Sequence, residues 1–562
     1  MDTYSPNALT TSRWLLLGLL LIFTLIWFSN LESRKLFRPD EGRYAEIARE
    51  MAVSGDWLTP RLNGLKYFEK PPLQYWMTAA AFKLCGEHHW TARWWPATTS
   101  FACVLLMFWV GRRLYGEEVG LAAAAALGGC TWFMLNAHFN SLDAGLTAFL
   151  TLALLGFLMA QRPEATPVEN RRWMLVVWVA LALAVLSKGL IGVVLPGAVL
   201  VLYILIERDW RMLTCLHVGK GLALFLLIAA PWFIAVSLVN DEFARFFFIH
   251  EHFARFTTDV HQRTGAWWYF VPELLIGALP WTLFIALRLR DGWRREGERG
   301  VLQPLRLLLI WAGFIFLFFS ASHSKLPSYI LPMFPALALF VGVQMQRMAP
   351  KILSSLAWGL AALGSALLLL LLLGGEHLAQ ALSKETSPFE IVRHFVPWIL
   401  ASIATFTAGA SAAAGLFRQA SRNVGIIALA FGSLGAGILA MNGHDQLSRL
   451  YSADDIVRKI ESEQGPLDRN APFYSIEMHD QTLPFYLKRP VTLVQYIDEF
   501  ALGLEAEPEK GISQVEDWKW RWRELDRGYA IMNPYNYQNL TAEGLPMRLL
   551  ARDPRRVIVS RK

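Results

Sequence analysis

Charged side chains are scarce in this sequence. Asp, Glu, Lys and Arg together make up 18% of 562 residues, against 54% hydrophobic residues. An ordinary soluble chain carries about a quarter charged residues, so that class is excluded. Cysteine is scarce as well. Cys85, Cys103, Cys130 and Cys215 include no CxxC pair, and the last three lie in or beside apolar runs. A disulfide scaffold and a zinc ribbon are thereby excluded. There is no internal repeat, no low-complexity tract and, after Met441, no glycine loop of the kind that cradles nucleotides.

What the chain has in quantity is apolar runs of membrane length, with 23 Trp and 35 Phe. A helix needs ~20 mostly apolar residues to cross a ~30 Å hydrocarbon core. Spans are predicted near 14–30, 91–111, 119–138, 143–161, 173–187, 189–206, 219–239, 267–287, 305–320, 329–346, 352–374, 395–416 and 424–441, about thirteen in all. The fifth and ninth are the shortest of these. The run Trp14 to Phe28 is followed by SNLES rather than a small-residue cleavage site, and reads as an uncleaved first span.

The connections supply an independent check. Every second one is rich in Arg, from Arg112 and Arg113 to Arg418 and Arg422, whereas those around His138, Lys188 and Lys325 carry at most one cation each. This alternation is the positive-inside rule. It places the N-terminus inside and, with an odd number of spans, the C-terminus outside. The first outer loop, about 31–90, departs from the rule with Arg34, Lys35, Arg38, Arg43, Arg49, Arg61, Lys66 and Lys70. Long loops escape it, and contact with phosphates would give these cations a function.

Two amphipathic helices on the outer face are expected within that loop, at about 40–53 and 71–86. In the first, Tyr44, Ile47, Ala48 and Met51 recur at helical spacing. The second follows Pro71-Pro72 and is too short to span. Residues 1–444 thus read as a transmembrane domain. Residues 445–562 mix charge with short strands and helices, as in a small α/β domain. Helices are expected at Ala453 to Ser462, with Ser452 as N-cap, and at Gln514 to Leu525. Strands are expected at Phe473 to Ile476, Val491 to Tyr496, Tyr529 to Met532 and Val557 to Ser560.

Chemistry-bearing residues gather on the outer side. Asp40 and Glu41 lie just beyond the first span, where Asp40 is equally a good N-cap. Glu69-Lys70-Pro71-Pro72 sets opposite charges before a rigid turn, or is simply solvated. The connection 240–266 holds His250, His252 and Arg255. If helical, it puts His252 and Arg255 on one face and Glu251 beside Arg255. Arg suits phosphate, and His binds metals or shuttles protons. An HxH pair alone does not define a metal site. Lys325 opens a span in SKLPSY, where it can snorkel to head groups or meet a lipid phosphate. Asp143 and Lys188 cap two other spans, as an ion pair or as lining of the same cavity.

RPDEGRYAEIA and, downstream, YFEKPPLQYW resemble the lipid A 4-amino-4-deoxy-L-arabinose transferases. These are GT-C membrane glycosyltransferases related to protein O-mannosyltransferases. NSLDAGLTAF, LSKGLIGVVLPG, HEHFARF and SKLPSYILP extend the resemblance across the transmembrane region, while the C-terminal part contributes only position and size. The resemblance implies a GT-C fold of about 13 transmembrane helices with a small periplasmic α/β domain. It implies a donor of aminoarabinose on undecaprenyl phosphate and a lipid A phosphate as acceptor. The reaction is then placed on the periplasmic face of a Gram-negative inner membrane, with resistance to polymyxin as its outcome. Asp40 becomes the leading catalytic carboxylate and Glu69 the second. Lys70, Arg255 and Lys325 would meet phosphate. Arg43, Tyr67, His250 and Tyr329 would shape the pocket, beside Asp143 and Lys188. No cofactor is required on this reading, though Glu69 and His250 are candidate ligands for a divalent metal. The expected partners are lipids, with no nucleic acid, and the chain is expected to be a monomer. A phosphate monoester is already ionised near pH 7, its second pKa being ~6, so the acceptor needs no strong base. A GT-C enzyme with another acceptor, a transporter and an anchor for a periplasmic binding domain are the competing readings. A protein hydroxyl as acceptor would require Asp40 to act as a true base. A transporter would place charges inside spans, and an anchor leaves most spans unexplained.

Overall fold

The computed structural model describes residues 13–254, 265–295, 301–384, 387–419 and 421–561. Helices dominate it as far as His444, and a six-stranded sheet organises the C-terminal part. Among the described residues, nine helices are long and apolar enough to cross a membrane, or eleven if each of two bent pairs is one span. Two shorter apolar helices, Trp14–Phe28 and Ile191–Glu207, occupy the remaining predicted positions. The short fifth prediction is part of a 22-residue helix, Pro167–Lys188, whose first turns carry the polar residues that hid it. Its start is fixed by a capping box between Thr166 and Glu169. Rows of Leu and Ile on Val218–Val239 and Pro350–Leu382 face outward without cover, as befits a chain solvated by lipid.

The two bent spans break beside each other. Glu117–Gly128 and Thr131–Ala137 meet at 64°, and Phe270–Gly277 and Thr282–Trp293 at 104°. Carbonyls freed at one break accept bonds from the other: the Thr131 amide donates to Leu279 O at 3.0 Å, and Cys130 Sγ to Gly277 O at 3.2 Å. Backbone groups at membrane depth are thus satisfied although each helix is interrupted. Elsewhere small residues bring helices into contact. Gly409 and Gly432 approach so closely that a Cβ on either would lie under 3.0 Å from the other backbone.

Four helices at the N-terminal end position the site: α1 (Arg13–Phe28), α2 (Asp40–Ser54), α3 (Leu73–Cys85) and α4 (His89–Tyr115). Between α2 and α3 lies a two-stranded ribbon, β1 (Arg61–Leu62) and β2 (Leu65–Lys66). Helix α2 is not an amphipathic helix resting on a surface. Ten of its fifteen residues, from Glu41 to Met51, are buried, the charged Glu46 and Arg49 among them. The C-terminal part covers it, and Arg49 pays for its burial with a forked bond to Glu46 at 2.6 Å.

The sheet comprises β3 (Phe473–Ile476), β4 (Thr492–Val494), β5 (Gly511–Ile512), β6 (Tyr529–Met532), β7 (Arg548–Arg552) and β8 (Val557–Ser560), in the order β5-β4-β3-β6-β8-β7. Strands β3 to β6 are parallel, and β8 runs antiparallel between β6 and β7. Alternate residues feed opposite faces. Phe473, Ile531 and Ile558 pack under helix Asp454–Gln464, while Tyr474, Met532 and Val559 pack against Trp518 and Trp522 of Val515–Glu524. Helix Asp454–Gln464 is capped at Ala453 rather than Ser452, whose hydroxyl still accepts from the Asp454 amide at 3.4 Å.

Candidate functional site

The acid pair beyond α1 separates into two roles. Glu41 is 2% exposed and forks with the fully buried Arg93 of α4, at 2.7 and 2.9 Å. Arg93 also donates to the carbonyls of Leu31, Arg34 and Lys35, and Glu41 accepts from the amides of Phe37 and Asn140, both at 3.1 Å. Burial alone would raise the Glu41 carboxyl, but the charge and hydrogen bonds of Arg93 override it and hold it down to about 2. Glu41 is a pin that fixes the loop before α2.

Asp40 points elsewhere. It opens α2 after Pro39 without capping the helix through its side chain, and that side chain is 44% exposed. Arg43 Nη1 holds its Oδ1 at 3.0 Å, while Arg43 Nε lies 2.5 Å from Oε2 of Glu499. Glu499 comes from the C-terminal part and is almost fully buried. Burial raises its carboxyl against the pull of Arg43. One guanidinium therefore ties a carboxylate of the first loop to one contributed some 450 residues later. The two meet because Gly42 has no side chain: a Cβ there would lie 2.6 Å from the carbonyl oxygen of Gln481 and 2.7 Å from Thr482 Cγ2. Gly42→Ala is expected to loosen the C-terminal part, read by limited proteolysis as faster cleavage at unchanged helical content. An unaltered digestion pattern contradicts this.

Tyr67 and Glu69 complete this polar chamber. The hydroxyls of Tyr67 and Tyr75 are buried without hydrogen-bond partners among the described residues. Burial, then the charge of Glu69, raises both phenols well above their usual range. Unpartnered buried hydroxyls ask for a ligand or water. Lys70 Nζ donates to Glu251 Oε2 at 2.9 Å and to the Glu69 carbonyl at 2.7 Å. The chamber thus carries Asp40, Arg43, Tyr67, Glu69, Lys70, Glu251 and Glu499, a dense mixture of charges suited to holding a charged, hydroxylated group.

The other expected residues fall into separate places. Asp143 and Lys188 form a close ion pair, and Lys188 also lies 5.0 Å from the ring of Tyr329. The pairing weighed in the sequence is therefore present. Lys325 does not face open space: its ammonium donates to the carbonyls of Phe319, Ser320 and Ser322 at 2.9–3.4 Å, closing the end of helix Pro304–Ala321. His250 is half-exposed, stacked on Phe246, with Nδ1 3.8 Å from Glu251. Its segment, Arg245–Ala254, is a π-helix, and the pairings expected of His252 and Glu251 with Arg255 lie outside the described residues. Arg255 lies outside the described residues. Among the described residues no three His, Cys, Asp or Glu side chains gather to hold a metal, and Glu69 and His250 gain no third ligand there.

Glu499 and Arg93 carry no sequence signal, because each acquires meaning from a partner far along the chain. Glu251 is visible in the sequence only as a neighbour of His250.

A many-helix membrane bundle, with carboxylates and cations on short helices beneath a small α/β unit, is the layout of a GT-C glycosyltransferase. The dolichyl-phosphate-mannose-protein mannosyltransferase family model matches residues 12–293, half of the chain, and the aminoarabinose transferase C-terminal domain model matches residues 456–561. The chain belongs to the aminoarabinose transferase family. The undecaprenyl phosphate-alpha-4-amino-4-deoxy-L-arabinose arabinosyl transferase of Edwardsiella ictaluri is 34% identical over 332 residues, 59% of each chain. That of Pseudomonas paraeruginosa is 34% identical over 384 residues, 66% of this chain and 67% of its own length. The match thus spans about three-fifths of the Edwardsiella protein's length. The crystal structure of ArnT from Cupriavidus metallidurans bound to undecaprenyl phosphate superposes with a TM-score of 0.92 at 36% identity, covering 98% of both chains.

Proposed function

We propose that this chain transfers 4-amino-4-deoxy-L-arabinose from undecaprenyl phosphate to a phosphate of lipid A. The observation that carries this reading is the chamber of Asp40, Arg43, Glu69, Lys70 and Glu499, held in a fold that tracks ArnT over 98% of its length. We place the chamber and residues 445–562 on the periplasmic face of the inner membrane, as the alternation of Arg-rich connections implies. Residues 1–444 are then the transferase domain.

In the reaction, an oxygen of the lipid A phosphate bonds to C1 of the sugar while the bond from C1 to undecaprenyl phosphate breaks. The attacking phosphate is already ionised, since its second pKa is ~6. Asp40 therefore need not take a proton. Fixed in direction by Arg43, it faces the positive charge that develops on the sugar ring, and Glu69 is the second carboxylate. Lys70 and Arg255 meet the leaving or attacking phosphate, with Tyr67 and His250 on the walls. Lys325 acts through the helix end that it closes. Asp143, Lys188 and Tyr329 are assigned to the rim.

The added amine lowers the negative charge of the lipid A surface and hence its attraction for polymyxin. Mass spectrometry of lipid A from Gram-negative cells with and without this chain should show a shift of one aminopentose. If lipid A is unchanged while a protein glycan is altered, the acceptor is a hydroxyl and the reading fails.

A further inference from the structure

Strands β3, β4 and β6 end on one edge of the sheet, and the strand order reverses at β3, with β4 on one side and β6 on the other. The crevice outside the carboxyl ends of parallel strands at such a reversal is where open α/β sheets take ligands. Here it is a cavity of 280 Å³. That is just below the ~300–1,000 Å³ of typical small-molecule sites, room for one sugar phosphate but not a lipid chain. His479 comes after β3, Tyr496 after β4 and Asn533 after β6, while Arg38 enters from the loop before α2 and Arg555 from the β7–β8 turn.

Three observations give this crevice its chemistry. The cations of the first loop are otherwise engaged: Arg34 with a carbonyl, and Lys35, Arg43, Arg49, Arg61, Lys66 and Lys70 with carboxylates. The guanidinium groups of Arg38 and Arg555 line the cavity without a close ion pair among the described residues: Asp480 acts on Arg38 only at longer range, and the Arg555 guanidinium lies 5.8 Å from the ring of Tyr451. His479 is 4% exposed, yet neither ring nitrogen has a hydrogen-bond partner among the described residues. The acids of the wall are hydrogen-bonded, Asp480 to a counter-charge and Glu477 to neutral amides. Asp480 accepts from Arg556 at 2.8 Å, and the two oxygens of Glu477 accept from Gln495 at 3.0 Å and Asn536 at 2.9 Å. The nine-residue helix Pro534–Ala542, N-capped by Asn533, begins at the rim and adds the positive end of its dipole.

We propose that this crevice binds a phosphate group carried on a sugar, with Arg38 and Arg555 on the phosphate and His479 bonded to an oxygen of the ligand. Two guanidinium groups without a close ion pair fit a phosphate's oxygens, and a buried imidazole with two open nitrogens fits a hydroxyl or phosphate oxygen. The crevice adjoins the chamber through a short stretch of chain, since Tyr496 stands three residues before Glu499. Binding here does not depend on the transfer reading. Where that reading holds, the acceptor's phosphorylated sugar is the occupant.

The test is titration of the full-length, detergent-purified chain with glucosamine 1-phosphate and, separately, with diphosphoryl lipid A in micelles. The unmodified chain and an Arg38→Gln/Arg555→Gln variant are compared. Saturable binding that weakens at least tenfold in the variant, at an unchanged thermal midpoint, supports the site. Support from the soluble sugar phosphate assigns a free ligand as sufficient, and support from lipid A alone assigns a lipid headgroup. Equal binding by both proteins, or no binding of either ligand at millimolar concentration, overturns it and leaves the cavity to water. If the double variant does not fold, Arg555→Gln alone should weaken binding at least threefold, and no change overturns the proposal. None of these readouts involves turnover. A chain that binds the sugar phosphate but modifies no lipid A therefore refutes the transfer reading alone.

Discussion

Asp40→Asn is expected to lower aminoarabinose transfer at least a hundredfold while leaving the chain folded. Asn keeps the shape of the side chain and can still accept the hydrogen bond from Arg43 at 3.0 Å. What it removes is negative charge which, on the proposed transfer, stands next to a sugar ring that becomes positive as its bond to the leaving phosphate stretches. Loss of one well-placed electrostatic group in a pre-organised site typically costs ~10²–10³ in kcat. The division between kinetic constants identifies the role. A fall confined to kcat means that Asp40 acts on the transition state, whereas a rise in KM means that it holds the ammonium of the aminosugar in the ground state. The measurement is conversion of lipid A by purified protein supplied with donor lipid. Transfer within a few-fold of normal would remove Asp40 from the mechanism.

Arg93→Met is expected to destabilise the fold by about 3–5 kcal/mol, because it leaves the Glu41 carboxylate buried without its counter-charge. The double change Glu41→Gln/Arg93→Met should recover much of that loss, since two neutral side chains of similar size replace the pair. Denaturant unfolding in detergent reads both. A single-variant loss below about 1 kcal/mol contradicts the buried pin. The pair also predicts a pH dependence. Glu41 is held at about 2 against an ordinary 4.5, so below pH 4.5 the unfolded chain binds a proton that the folded chain refuses. Its stabilisation is fully present above pH 4.5 and is lost as pH falls towards 2. Glu41→Gln should flatten the stability profile in that window and leave its shape above it unchanged.

The elements legible in the sequence are those whose signal is local. Apolar runs and alternating Arg-rich connections locate helices at all thirteen predicted positions. Strands β3, β6 and β8 fall on the residues expected from their β-branched and aromatic runs. The two-residue β5 and the amphiphilic β7, RLLAR, escape because neither has a buried period of its own. Likewise the breaks at Gly129–Cys130 and Ala278–Trp281 are invisible in hydropathy, since each is stabilised by bonds to the other. The chamber divides in the same way. Asp40, Arg43, Tyr67, Glu69 and Lys70 stand close in sequence and could be read together. Glu499 could not, because its meaning comes from Arg43, and nothing near it in the chain says so. The covering of α2 by the C-terminal part is what turns an apparently amphipathic surface helix into a buried one.

Helix α2 is synthesised well before the segment that encloses it. Gly42 lies against Gln481 and Thr482, and Arg43 waits for Glu499. A ribosome that has completed the final membrane helix has therefore made every span, yet the chamber remains unfinished. Release before that point would leave α2 without the cover that Gln481, Thr482 and Lys488 give it. Exchange of C-terminal halves between relatives meets the same barrier, since the graft must bring the partner for Arg43 and a flat edge for Gly42 at once.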